Sequence, residues 1–252
     1  MSLSAIVIAK NEERVIGRCL RSLAFCDEIL LIDSGSTDRT HEIARDCGAT
    51  VIVEDWQGPA TQRNRGLARA QGEWRLLLDA DEWVSDDLRH EIEALIARGP
   101  AEVAFEISRL SSYCGHFMRH GGWWPDRVLR LVRRDGVHYA GGIVHEHPVP
   151  HGPVGRLPQP LMHESFIDLT QVIAKMDAYS TWGAQDMLKS GRSSSLTTAI
   201  GHGLWAFIRT YVVRAGFLDG RHGLMLAISN AEGSYYKHVK AMLMAEPPAS
   251  PR

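Results

Sequence analysis

The chain has 252 residues, of which 44% are hydrophobic and 23% are charged, values that are ordinary for a globular protein with one large or two small domains. The formal net charge of −2 gives no electrostatic reason to expect nucleic acid as a partner. The four cysteines show no metal-binding spacing and no secreted disulfide framework, and the N-terminus lacks a signal-peptide pattern, so we expect reduced thiols in a cytoplasmic protein.

The first hundred residues alternate between short apolar runs and segments with helical spacing. Each apolar run is rich in isoleucine, valine or leucine and is predicted to be a buried strand. The predicted strands are residues 3–9, 28–33, 50–54 and 74–78. Short connections join them to helices, which is typical of an α/β domain with a mostly parallel sheet. In such sheets, ligands bind outside the carboxyl ends of the strands.

Polar side chains follow several of these strands. Asn11 and Glu12 follow the first, Asp33 ends the second, and Asp79 and Asp81 follow the fourth. Mg²⁺ and Mn²⁺ favour oxygen ligands and often share them with the phosphates of a substrate. Taken alone, Asp-x-Asp arises often by chance, and Asp33 before Ser-Gly-Ser-Thr is compatible with a simple helix-capping turn. Their convergence at one edge of the sheet favours a nucleotide and metal site.

The pattern changes after residue 100. Alternation over 103–109 predicts a strand, and 121–126 is an aromatic-rich loop. Residues 136–164 hold many Gly, Pro and His, which predicts loops with short strands. From 168 the chain becomes helical, and the Pro-rich residues 246–252 are expected to be disordered.

Four motifs, in this order and spacing, resemble the inverting family 2 glycosyltransferases. They are Ala9-Lys10-Asn11-Glu12-Glu13, Asp33-Ser34-Gly35-Ser36-Thr37-Asp38-Arg39-Thr40, Gln62-Arg63-Asn64-Arg65-Gly66 and Leu78-Asp79-Ala80-Asp81-Glu82. Later motifs resemble one branch of that family, the lipopolysaccharide core-biosynthesis glucosyltransferases. These are Trp123-Trp124-Pro125-Asp126 with Arg130-Leu131, Val144-His145-Glu146, Leu161-Met162-His163, and Phe217-Leu218-Asp219-Gly220 with Gly223-Leu224.

The resemblance implies a domain organisation. A GT-A fold, the α/β fold that binds nucleotide sugars, is expected over residues 1–165. Residues 1–100 would form its nucleotide-binding part and 101–165 its acceptor part. A helical extension over 166–245 and the tail 246–252 would follow.

The resemblance also implies roles in the donor site. Asp33 would bind the base, with Asn11 and Glu12 lining the same nucleotide pocket. Asp79 would lie toward the ribose and the metal, and Asp81 is the leading ligand for Mg²⁺ or Mn²⁺. The same nucleotide-sugar site would include Arg63 and Asn64; a guanidinium such as that of Arg63 can bind phosphate.

Inverting transfer needs one general base to take the proton of the acceptor. Glu146, in a His-Glu-His cluster, is the first candidate, and Asp126 and Glu82 are the alternatives. His163 is a candidate to complete the metal site, although a lone histidine is more often structural. The spacing of the histidines fits no usual zinc pattern.

Two aromatic or apolar segments have two interpretations each. Trp123 and Trp124 can stack on a sugar of the acceptor, or they can be core residues. The apolar stretch 196–217, with arginines around it, can be an ordinary packed helix. It can also lie on an anionic membrane surface, as a peripheral protein of the inner leaflet would.

The sequence therefore predicts a cytoplasmic, metal-dependent, inverting glycosyltransferase. In the second of those interpretations it would lie on the cytoplasmic face of the inner membrane. It would move a hexose, glucose from UDP-glucose, to the inner core of lipopolysaccharide. One alternative keeps the fold but uses a polyprenyl phosphate as acceptor, which needs no base. Another is a non-catalytic sugar-nucleotide-binding protein. A dinucleotide-dependent oxidoreductase is disfavoured, because the turn after the first strand lacks the glycine fingerprint.

Overall fold

The computed structural model describes residues 1–141 and 146–245, without the side chain of Glu146. Within it the chain divides into two compact units. The first comprises Met1–Leu110 and Asp126–His163, and the second comprises Ser111–Pro125 and Glu164–Arg252.

The N-terminal part of the first unit is the predicted parallel sheet. Its strands are β1 (Leu3–Ala9), β2 (Glu28–Asp33), β3 (Thr50–Val53) and β4 (Trp74–Asp79). They lie in the order β3-β2-β1-β4, and each neighbouring pair is parallel. In this register Ala9 lies opposite Asp33, and Ile8 lies opposite Asp79. The two aspartates therefore come to the same edge of the sheet on either side of β1, as the sequence predicts.

The later strands make mostly antiparallel pairs with their neighbours, so the sheet as a whole is mixed. Its strands are β5 (Glu82–Val84), β6 (Ala104–Tyr113), β7 (His116–Phe117), β8 (Asp126–Arg133) and β11 (Val154–Phe166). The order continues from β4 through β8, β6 and β11 to β5, while β7 pairs with β6. A separate small sheet joins β9 (Val137–Gly141) to β10 (Glu146–Pro150).

Helices cover both faces of the parallel strands. They are α1 (Ile16–Ser22), α2 (Thr40–Asp46), α3 (Pro59–Arg69) and α4 (Asp86–Arg98). Apolar residues of α1 and α4, such as Leu20 and Ile92, join one core cluster with Leu76 and Leu78 of β4. On the other face, α3 comes so close to β1 that a Cβ on Gly66 would lie 2.3 Å from Ile6. The glycine that ends the third motif is therefore required by packing.

The second unit is mainly helical. Its helices are α5 (Leu169–Lys189), α6 (Leu196–Ile208) and α7 (Gly220–Ala245), with a π-helical turn at Arg209–Val213 and a 3₁₀ turn at Gly216–Asp219. Asp168 caps α5 by accepting from Gln171, and Ser195 caps α6 by accepting from Thr198. Among the described residues, no helix is both long and apolar enough to cross a membrane.

Residues 111–125 belong to the second unit, whereas the domain organisation implied by the resemblance places them in the acceptor part, residues 101–165. The reason is aromatic packing. The ring of Tyr113 meets Trp123 and Phe166 edge-on at 5.8 and 6.1 Å, and the cluster is completed by Val172 of α5 and Leu226 of α7. The predicted tail at 246–252 lies outside the described residues.

Candidate active site

The loops that follow β1 and β2 are hydrogen-bonded to each other. Asn11 has a left-handed backbone, with φ of 57°, and its side-chain oxygen accepts from Thr37 N at 2.8 Å. Its own N–H donates to Ser36 Oγ at 2.8 Å, and Glu12 N donates to Thr40 Oγ1 at the same distance. Asn11 therefore does not cap α1, which begins at Ile16. The structure brings the first two motifs together as one rim at the edge of the sheet.

Asp33 is fully buried at the base of this rim. One carboxylate oxygen accepts from the N–H groups of Gly35 and Ser36, each at 2.8 Å, and lies 2.7 Å from Nε2 of His41. The other accepts from the hydroxyl of Ser36. Burial alone would raise the pKa of Asp33, but the hydrogen bonds from Ser36 and His41 outweigh it and lower that pKa. The carboxylate thus holds the turn after β2 in shape.

Asp79, at the end of β4, lies between two arginines. Its Oδ1 accepts from Arg63 of α3 at 2.7 Å, and its Oδ2 accepts from Arg130 of β8 at 2.6 Å. Burial would raise the pKa of Asp79, but the charges of Arg130 and Arg63 lower it far more. Both oxygens of this carboxylate are therefore engaged by guanidinium groups.

The ion pairs continue through the sheet beyond Asp79. The same Nη2 of Arg130 donates to Glu82 Oε1 at 2.6 Å, and Glu82 is completely buried. Arg109 of β6 lies 3.3 Å from that oxygen, and through Nε and Nη2 it contacts Oδ2 of Asp126 at 2.8 and 2.6 Å. Glu82 is therefore buried within the ion pairs, which does not favour it as the base. Asp126 is a half-exposed carboxylate at the far end of the chain of charges.

Asp81 follows Asp79 in the turn between β4 and β5. Its Oδ2 lies 3.3 Å from Nε2 of His163, because β11 pairs with β5 and places His163 opposite Glu82. The Asp81 side chain is 32% exposed and that of His163 is 13% exposed, so both are accessible from solvent. Among the described residues, no group of three or more histidine, cysteine or acidic side chains is placed to hold a metal. A cation at this pair would therefore need further ligands from a substrate or water.

A cleft of about 410 Å³ in the first unit adjoins this arrangement. Arginines dominate its charged lining among the described residues: Arg63, Arg109, Arg127 and Arg130, against the acids Asp79 and Glu106. Tyr139 forms another part of the wall, with the guanidinium of Arg63 5.6 Å from its ring. The cleft has an excess of positive charge and suits an anionic ligand.

The remaining predicted residues lie elsewhere. The side-chain amide of Asn64 bonds the backbone of Tyr139 at both ends, at 2.7 and 2.9 Å, and so fixes β9 against α3. Trp123 packs in the aromatic cluster of the second unit, and Trp124 lies 5.7 Å from the guanidinium of Arg119. The backbone of Glu146 begins β10, but its side chain lies outside the described atoms.

Sequence reasoning did not assign a role to Arg109 or identify Arg130 as the partner of Asp79. Arg130 did carry a signal, since it is a lone charge within the apolar run Val128–Val132. A buried charge in such a run needs an opposite charge. The identity of that partner could not be read, because Asp79 and Glu82 are about fifty positions away along the chain.

Residues 4–146 match the model of the family described as glycosyl transferase family 2. The chain therefore belongs to this family of glycosyltransferases, and the predicted family and GT-A fold are confirmed. It is 31% identical to the lipopolysaccharide core biosynthesis glycosyltransferase LpsC of Rhizobium meliloti (strain 1021). The aligned region covers 94% of this chain and 93% of LpsC. This similarity confirms the predicted resemblance to the core-biosynthesis branch.

Further similarities are weaker or cover less of the chain. An uncharacterized glycosyltransferase of Rickettsia typhi is 28% identical, over 94% of this chain and 86% of that protein. Among solved structures, glucosyl-3-phosphoglycerate synthase of Mycobacterium tuberculosis, with Mn²⁺, UDP and glucosyl-3-phosphoglycerate, is 26% identical. The matched region covers 45% of this chain and 44% of the synthase chain, with a TM-score of 0.37.

Proposed function

We propose that this glycosyltransferase is metal-dependent and inverting, and that it moves a hexose, glucose from UDP-glucose, to the inner core of lipopolysaccharide at the cytoplasmic face of the inner membrane. The observation that carries the proposal is the contact between Asp81 and His163. Asp81 is two positions along the chain from Asp79, which lines the cleft and is bound by two arginines. The similarity to LpsC over nearly the whole chain supports a lipopolysaccharide-core acceptor.

The donor would occupy the edge of the sheet where β1, β2 and β4 end. The rim formed by Asn11, Glu12 and the turn at Asp33 would hold the base and ribose, through groups that the hydrogen bonds between the two loops keep in place. Arg63 and Arg130 would attract the diphosphate, since guanidinium groups bind phosphate oxygens well. Asp79 holds both arginines in position, so this carboxylate would act through them as well as toward the ribose.

The residues at the metal position fit a divalent cation. Asp81 supplies a carboxylate and His163 an imidazole, both partly accessible, and a cation that shares ligands with a diphosphate needs few protein side chains. When bound there, Mg²⁺ or Mn²⁺ would neutralise the charge of the leaving diphosphate. Asp79 would contribute to this position only by releasing one of its two arginines.

Transfer with inversion is a direct displacement. A base takes the proton of the acceptor hydroxyl, its oxygen bonds to the anomeric carbon, and the bond from that carbon to the diphosphate breaks. Glu146 would be the base. Asp126 is the alternative, but its Oδ2 is already engaged by two nitrogens of Arg109.

The acceptor would be bound in part by aromatic side chains. Trp123 and Trp124 stay our candidates for stacking on a sugar, with Trp124 favoured because Trp123 packs against Tyr113 and Phe166. Replacing Trp124 by leucine should then raise the KM for the acceptor and leave that for the donor unchanged.

The direct test is turnover of labelled UDP-glucose with lipopolysaccharide-core acceptors that lack glucose, in the presence of Mg²⁺ or Mn²⁺. Product with the β configuration, from the α-linked donor, would establish inversion. A panel of other UDP-, GDP- and dTDP-sugars serves as the control for donor identity. Failure of every sugar nucleotide to stabilise or react with the protein, with or without metal, would overturn the proposal.

A further inference from the structure

In helix α6 the small residues are buried and the large apolar residues are exposed, which is the opposite of the usual pattern. The buried residues of α6 are small, namely Ala199 and Gly203, and Thr210 of the π-helical turn that follows is buried and polar. At Gly203 an added Cβ would lie 3.3 Å from Ala231 O and from Tyr235 Cβ, so the two helices are in close contact there. The large apolar side chains point the other way.

We call the exposed apolar residues of α6 and of the turns after it the apolar face. It consists of Leu196, Ile200, Leu204, Trp205, Ile208, Val212, Val213, Phe217 and Leu218, each between 36% and 64% exposed. Several recur at intervals of four, so they share one side of α6, and the set continues into the turns that follow. An exposed apolar surface of this extent marks a binding site on most proteins.

The charged residues within the segment that carries the apolar face are all basic, and Asp219, which follows this segment, is buried and accepts hydrogen bonds from Arg119 N and His120 N. Residues 187–218 contain Lys189, Arg192, Arg209 and Arg214 and no aspartate or glutamate, although the whole chain has a net charge of −2. Arg192, Arg209 and Arg214 are exposed. A helix that combines an apolar side with basic residues suits the boundary between the acyl chains and headgroups of an anionic membrane.

We propose that the apolar face docks on an anionic lipid surface and inserts its large side chains among the acyl chains, while the arginines contact the phosphates. The helix would lie in the plane of the membrane, because its large apolar side chains are exposed while Gly203 packs against α7. A second copy of the chain is a poorer occupant. Two such faces brought together would place Arg192, Arg209 and Arg214 opposite like charges, with no acid in the segment to neutralise them.

This surface belongs wholly to the second unit, so lipid binding and the reaction proposed above can fail independently. The test is flotation of the full chain with vesicles of phosphatidylcholine, alone or mixed with phosphatidylglycerol. We expect binding to the mixed vesicles, weakened by salt, and much less to phosphatidylcholine alone. The combined variant Arg192→Gln and Arg209→Gln should weaken binding by about fivefold per arginine.

A second variant tests the apolar contribution. Leu204→Ser, Trp205→Ser and Val213→Ser together should abolish flotation, and their exposure means that the fold should tolerate them. The matched control is Trp182→Ser on α5, a tryptophan that is 57% exposed, against 54% for Trp205. Stabilisation by UDP with Mn²⁺ is measured in parallel and should be the same in every variant, so a loss of flotation is separated from a loss of donor binding.

Three results would overturn the proposal. The first is absence of flotation of the unaltered chain with the anionic vesicles. The second is unchanged flotation of the triple serine variant. The third is a concentration-dependent dimer, seen by light scattering, that the triple variant abolishes, because the apolar face would then bind a second copy of the chain.

Discussion

The guanidinium of Arg130 lies 2.6 Å from the carboxylate of Glu82, and neither side chain is more than 4% exposed. The same nitrogen also reaches Asp79, so one arginine compensates two carboxylates at the end of the sheet. The charges of Asp79 and Glu82 raise the pKa of Arg130, although burial by itself would lower it. Loss of this arginine would leave Glu82 charged without its main partner in the protein interior.

Arg130→Met should therefore destabilise the protein strongly. Removal of one partner of a buried ion pair costs about 3–5 kcal/mol of the free energy of unfolding. The control is Arg156→Gln, because Arg156 pairs with Glu106 on the surface, where its side chain is 66% exposed. Such an exposed pair contributes roughly 0–1 kcal/mol. Urea unfolding of both variants measures the difference, and equal losses would show that the buried network does not stabilise the fold.

The helical glycines of α3 and α6 offer a paired test of packing. Gly66→Ala would place a methyl group 2.3 Å from Ile6 and should cost about 1–3 kcal/mol, because the α3–β1 contact must open. Gly201 of α6 has open space around its Cβ position, so Gly201→Ala should stabilise the protein by about 0.5–1 kcal/mol. Thermal unfolding measures both. A neutral Gly66→Ala would mean that α3 is not held against β1 as described.

A feature could be predicted from the sequence when it depends on residues close together in the chain. The parallel strands and their helices follow from periodicity over a few residues, and the strand-end rule places Asp33 near Asp79. The ion pairs among Asp79, Glu82, Arg109 and Arg130 join residues from β4, β5, β6 and β8. No local pattern shows which arginine reaches which carboxylate, since that depends on the order of the later strands in the sheet. The family resemblance implies that Asp79 lies toward the ribose and the metal, but the sequence does not reveal that two arginines bind it.

The second unit shows the same limit. The helical pattern after residue 168 predicts its helices, and the apolar stretch 196–217 stands out by composition. Which side of α6 faces α7 is decided by close contact at Gly203. Composition alone is compatible with both a packed helix and a membrane-surface helix for this stretch. Leu204 and Trp205 are exposed, and this exposure is the basis of our proposal of a lipid surface.

The hydrogen bonds of Asp33 predict a pH dependence of stability. The folded-state pKa of Asp33 is lowered, so its contribution is present above the ordinary pKa of about 4 and is lost as the pH falls toward the folded value. Asp33→Asn should flatten the rise of the free energy of unfolding with pH on the acid side. Ser36→Ala, which removes a donor to Asp33, should shift this limb in the same direction by a smaller amount. Denaturant unfolding across the acid range measures the slopes, and parallel curves for all forms would contradict the assignment.

Asp81 and His163 should govern binding of the donor together with metal. With ligand at 100 times its Kd, UDP with Mn²⁺ should raise the Tm of the wild type by about 5–10 °C. Asp81→Asn and His163→Gln should each remove most of the metal-dependent part of that shift. Asp87→Asn and His90→Gln, at exposed positions of α4, are the matched controls. An undiminished Tm shift in Asp81→Asn would show that Asp81 does not bind the metal, and the membership of the family would be unaffected.

The identity of the base can be decided between Glu146 and Asp126 by paired amide variants. A general base contributes roughly 10²–10⁴-fold in rate, so Glu146→Gln should lower kcat by that factor and leave the KM for the donor and stabilisation by UDP unchanged. Asp126→Asn should have a smaller effect on kcat, because the contact with Arg109 already engages this carboxylate. If the order of the two effects is reversed, Asp126 is the base. If neither variant loses rate, the acceptor is already an anion, as a phosphate acceptor would be, and the hydroxyl-acceptor mechanism is wrong.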